Sequence, residues 1–74
     1  MEINKRVLLL AILKKEPQES IKDVVNMLEA SRLFSLKEGK RLLKELKKEA
    51  FLDDAGLTPK GLKAAKEAEE EFRL

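Results

Sequence analysis

The chain contains no cysteine, histidine, tyrosine or tryptophan, and only three glycines. Without cysteine, no disulfide or thiolate metal site can staple the fold. Without histidine as well, a transition metal would find only carboxylates and carbonyls, a weak ligand set for zinc or copper. No glycine-rich phosphate loop is present either. With 74 residues, the apolar side chains are spent on packing and leave little room for a ligand cavity. Neither enzyme activity nor a cofactor, metal or small-molecule ligand is expected.

Long apolar runs are missing too. The longest, Val7 to Leu13, falls far short of the ~20 residues that cross a bilayer. Lys14-Lys15-Glu16-Pro17 follows it, where a signal peptide would need small residues. A cytoplasmic protein with no membrane partner is the expectation.

What is present is charge and aliphatic bulk: 41% charged and 43% apolar residues, the composition of a folded helical protein. Residues 1–74 should form one domain, near the lower size limit for an unaided core. Net charge is only +2, but it is unevenly spread. Ser35 to Lys48 holds six bases and two acids (+4), whereas Leu62 to Leu74 holds three bases and four acids (−1). A local excess on one helix face is what an electrostatic footprint looks like.

Helix one is expected from an N-cap at Asn4 to about Lys15, where Pro17 stops it. Val7 to Leu13 leaves no polar side for two turns, so this helix must be buried all round. Three partner helices would cover most of it, and a homodimer through helix one or the C-terminal helix the remainder. Helix two should run from Ser20 to about Ala30, with Ile21, Val24, Val25 and Leu28 as its apolar stripe. Ser20 and Asp23 make a weak capping pattern. Ser31 to Phe34 forms a tight corner, plugged by Leu33 and Phe34.

Ser35 and Glu38 form the stronger capping box, opening a third helix that reaches about Ala50. At roughly 100° per residue, Leu36, Gly39, Leu42, Leu43, Leu46 and Ala50 share one side. Lys37, Lys40, Arg41, Lys44, Lys47 and Lys48 share the other, and Glu38, Glu45 and Glu49 keep to one flank. Gly39 on the apolar side indicates close packing. Phe51-Leu52 and Leu57-Thr58 bracket a turn at Asp53 to Gly56. Thr58-Pro59 then begins a last helix with an N-cap and a proline at its first position. Its inner stripe should be Leu62, Ala65, Ala68 and Phe72, with Glu67 and Glu69 to Glu71 pointing outward. The fold class is therefore all-α, or helices with a minimal β-hairpin.

Leu43, Leu46, Phe51 and Leu52, followed by Leu57-Thr58-Pro59-Lys60-Gly61-Leu62, resemble the winged helix-turn-helix family over roughly Ile3 to Phe72. The resemblance implies three helices, a short wing at Leu52 to Leu57 and a C-terminal helix. In that family the third helix enters the DNA major groove and the wing touches the neighbouring backbone or minor groove. Carried over, Ser35, Lys37, Lys40, Arg41 and Lys44 would face DNA. Two features depart from the pattern: the wing is short and bears Asp53 and Asp54, and Ala50 stands where glycine is common. Adjacent carboxylates repel phosphate, so a wing contact is not expected. As a metal pair the same two aspartates lack convergence and calcium-loop spacing.

The expected activity is double-stranded DNA binding by a small transcriptional regulator or accessory protein. Lys37, Lys40, Lys44 and Lys48 would neutralise phosphates, while Arg41, helped by Arg32 and Ser35, would reach base edges. Four phosphate contacts imply a salt slope of roughly −3.6, and a dimer would double them. The alternative is a winged-helix protein–protein interaction module without DNA binding, favoured by the acidic wing and opposed by the sorted basic helix. RNA is a poorer fit, because aromatics to stack on bases are lacking.

Overall fold

In a computed structural model describing residues 2–72, the chain runs through α1 (Ile3–Lys14), α2 (Ile21–Ala30), α3 (Leu36–Lys48), β1 (Leu52–Asp53), β2 (Gly56–Leu57) and α4 (Pro59–Glu71). The architecture is mostly helical with one two-stranded antiparallel hairpin, pairing Leu52 with Leu57 and Asp53 with Gly56. No helix among the described residues is long and apolar enough to cross a membrane.

α1 is the central element, packed on α2, α3 and, most extensively, α4. Leu8, Leu9 and Ile12 are buried, and Val7, Leu10, Ala11 and Leu13 are at least half covered, so no residue of the apolar run lies open. Leu42 and Leu46 of α3 and Val24 and Val25 of α2 complete the core. Each fully buried Leu or Val contributes on the order of 1.5–3 kcal/mol. Asn4 is not the cap: α1 starts at Ile3, two residues earlier than that cap implies, with Glu2 as N-cap and no side-chain cap bond. Backbone bonds from Lys5 N–H and Arg6 N–H to Glu2 C=O close that first turn.

The two capping patterns exchange ranks. At Ser20 both halves of the box form: Ser20 Oγ accepts from Asp23 N–H at 3.1 Å, and Asp23 accepts from Ser20 N–H at 3.0 Å. At Ser35 only the first half forms, with Oγ accepting from Glu38 N–H at 3.1 Å. The Glu38 carboxylate turns to Arg41 instead, because a charged donor outcompetes a neutral amide.

Helices α2 and α3 end alike. Leu33 N–H returns to Leu28 C=O and Arg32 N–H to Glu29 C=O. Phe51 N–H likewise returns to Leu46 C=O and Ala50 N–H to Lys47 C=O. Both are Schellman motifs, which require a left-handed residue after the cap. Arg32 (φ 62°) and Ala50 (φ 65°) fill that position without being glycine. At the first corner Phe34 is buried, but Leu33 stays 38% exposed, so only one of the two expected plugs is inserted.

Two glycines are required by close approach. A Cβ on Gly39 would lie 2.7 Å from Val25 Cγ1 and 2.9 Å from Phe34 Cε1, so this position lets α3 settle against α2 and the corner. A Cβ on Gly61 would lie 2.8 Å from the Phe51 carbonyl carbon and closer still to its oxygen. That contact sets the rotation of α4. Gly61, Ala65 and Ala68 face inward, while Leu62, expected inside, is 38% exposed and Phe72 37%. Of the acids expected to point outward, Glu69 pairs with Lys14 and Glu71 with Arg6, because α4 lies against a helix basic at both ends.

Candidate nucleic-acid interface

α3 is an amphipathic rod, and the fold sorts its charged side chains into two populations. Lys37, Lys40, Lys44, Lys47 and Lys48 are all exposed. Among the described residues, no carboxylate pairs with Lys37, Lys40, Lys44 or Lys48, and Lys47 only approaches Asp54 at 4.0 Å. Neither α4 nor any other element covers this side, so its charge stands toward solvent.

Arg41 belongs to the other population. Its guanidinium contacts Glu38 and Glu45, three and four residues away along the acidic flank, and reaches Glu2 at 3.3 Å. Glu45 is shared with Lys5, whose Nζ lies 2.8 Å from Glu45 Oε1 and 2.8 Å from Glu49 Oε1. The result is a strap of alternating charges that ties the start of α1 to the whole length of α3. Hydrogen bonding to Glu45 and Glu49 raises the Lys5 pKa above its ordinary 10.5, against the opposing cost of burial. The Arg41 hydrogen bond lowers that of Glu38, and the Lys5 hydrogen bond, then the Arg41 charge, lowers that of Glu45. Arg41 is itself held more firmly protonated, first by Glu38.

Lys5 is the residue that sequence reasoning passed over. It sits on the stripe of Leu8, Leu9 and Ile12 and is 9% exposed. Its signal was a lone cation in line with a buried stripe, opposite a helix flank made only of glutamates.

Ser35 and Arg32 flank the N-terminal end of α3, both exposed. Ser35 Oγ is occupied as an acceptor by the cap, which leaves its O–H as the group to offer a phosphate. Arg32, in the left-handed corner, stands one turn before the lysine face.

The C-terminal end of α3 is clasped by the start of α4. Lys60 Nζ donates to Glu49 C=O at 2.9 Å, Thr58 Oγ1 to Ala50 C=O at 2.6 Å, and Thr58 N–H to Phe51 C=O at 3.2 Å. Thr58 Oγ1 meanwhile accepts from Gly61 N–H at 3.0 Å. Lys60 also lies 4.6 Å from the centroid of the Phe51 ring, a cation–π approach. The carbonyls of Glu49, Ala50 and Phe51 are thereby satisfied, and the C-terminal end of α3 is tied to α4.

The hairpin next to it is acidic. Asp53 Oδ1 accepts from Ala55 N–H at 2.9 Å, an Asx turn, and Asp54 is fully exposed. Among the described residues, no three metal-ligating side chains come together. No family model, no curated protein and no solved structure matches the chain.

Proposed function

We propose that the chain is a cytoplasmic winged helix-turn-helix protein that binds double-stranded DNA, with α3 in the major groove, as a small transcriptional regulator or accessory protein. The observation that carries this reading is the exposed face of Lys37, Lys40, Lys44 and Lys48 on a helix tied to α1 through Lys5 and to α4 through Lys60. Lysines on a rigid rod supply phosphate neutralisation at small ordering cost. Arg32 and Ser35 add contacts at its N-terminal end.

Arg41 is the expected base reader, but to act it must leave Glu38 and Glu45. Its release depends on DNA offering a better partner than two carboxylates, so backbone affinity precedes sequence reading. A homodimer through α1 or α4 would double the phosphate contacts. The exposed Ile3 and half-exposed Phe72 are the apolar side chains it would cover.

The test is anisotropy on a random duplex at two salt concentrations. Lys40→Ala with Lys44→Ala should flatten the salt slope by about 1.8 while leaving the fold intact. Undiminished affinity in that double variant would end the proposal. Sedimentation checks the dimer independently, and a clean monomer mass at micromolar concentration would remove it.

A further inference from the structure

A groove of about 720 Å³ runs between α2, α3 and the hairpin, and its make-up differs from that of a phosphate-binding face. Its floor is aliphatic: Ile21 and Val25 from α2, Leu36 and Leu43 from α3. Leu36 is 40% exposed there. Lys22, Lys40, Lys44 and Lys47 rim it, with Asp53 and Asp54 of the hairpin also lining it. Four lysines against two aspartates leave the rim at +2, and with both aspartates on the hairpin side and Asp54 nearest Lys47, the positive charge is concentrated at Lys22, Lys40 and Lys44.

DNA offers such a floor little more than thymine methyl groups, because phosphates are bound by charge and base edges mainly by hydrogen bonds. Aliphatic side chains under a lysine rim complement an apolar stripe flanked by carboxylates, which is the surface of an acidic amphipathic helix. We infer that the α2–α3 groove docks an acidic amphipathic helix of a protein partner. Leu36 and Leu43 receive its apolar stripe, and Lys22, Lys40 and Lys44 pair with its flanks. Lys40 and Lys44 also belong to the proposed DNA face, so, resting on that reading, helix and duplex exclude each other and the partner acts as an antagonist of DNA binding.

The probe is a synthetic peptide with leucines at i, i+3, i+4 and i+7 and glutamates between them. Its control is a peptide of the same composition whose leucines share no face. Both are titrated into the isotope-labelled full chain while amide shifts are followed. The patterned peptide should shift Ile21, Val25, Leu36 and Leu43 and bind roughly tenfold or more tighter than the control. Leu36→Ser and Lys22→Glu should each weaken it by about tenfold, with the circular dichroism spectrum unchanged and duplex affinity within about twofold. Lys37→Ala with Lys48→Ala, outside the groove, should do the reverse. Equal binding of the two peptides, shifts centred elsewhere, or full affinity in Leu36→Ser would overturn the inference. So would self-association abolished by Leu36→Ser, which would give the groove to a second copy. Loss of duplex binding with the peptide pattern intact would remove the DNA function and leave the docking assignment standing.

Discussion

The two long sides of α3 carry similar numbers of charges and do opposite things with them. On the acidic flank, Glu38, Glu45 and Glu49 meet Arg41 and Lys5, and the charges are consumed in holding α1 to α3. On the basic face, Lys37, Lys40, Lys44 and Lys48 meet no carboxylate among the described residues and stand toward solvent. The difference lies in what stands opposite. α1 presents a buried lysine to the first flank, whereas solvent faces the second. A helix can therefore spend its charges on the fold along one arc and keep them exposed along another. The division predicts that changes on the strapped or inner side appear as stability, and changes on the open side as affinity.

The inner anchor should show the largest effect. Gly61→Ala forces a methyl against the Phe51 carbonyl and opens the Thr58 clasp. It should cost about 3 kcal/mol in urea unfolding, and a loss below about 0.5 kcal/mol would mean that α4 is not locked to the end of α3.

Acid should loosen the strap next. Glu38 and Glu45 have folded-state pKa values below their ordinary 4.5. They bind fewer protons folded than unfolded, so their contribution is complete above that pH and is lost as pH falls through the lowered values. Lys5 is raised above 10.5, so its share is complete below that pH and is lost only in strong alkali. Melting temperature should thus decline below about pH 4.5 and do so less in Glu45→Gln, whereas a decline of equal steepness in that variant would detach the strap from acid sensitivity.

Smaller, and opposite in sign, is Ala50→Gly. The left-handed Ala50 carries a steric cost on the order of 1 kcal/mol that glycine escapes. The variant should unfold at higher urea, and lower stability would refute the strain. Smallest on this scale is the open face, where Lys37→Ala with Lys48→Ala should alter stability by no more than about 0.5 kcal/mol. A larger loss would show that those lysines are structural and erase the contrast between the two sides.

Much of this organisation was legible because it is local. Pro17, Ser20, Ser35 and Thr58-Pro59 mark boundaries through backbone geometry and capping, which neighbours in sequence dictate. The leucine spacing of α3 announced the buried Leu42 and Leu46, though Leu36 and Ala50 at the ends of that side are exposed, and the position of Gly39 announced close packing. What was misread depended on distant partners. Asn4 lost the cap to an earlier start at Ile3, and Leu62 turned outward because Gly61 was needed against Phe51. Arg41, counted with the basic face, was drawn to Glu38 and Glu45 on its own helix and Glu2 on another.

Sequence alone therefore determined which segments are helices, where they stop, and that α3 is sorted by charge, since helical periodicity and caps act over three or four residues. Only the tertiary structure decided which of those charges are spent internally. That choice hangs on Lys5 lying within 2.8 Å of residues 40 and 44 positions away, a proximity created by the packing of α1 on α3 rather than by any local pattern.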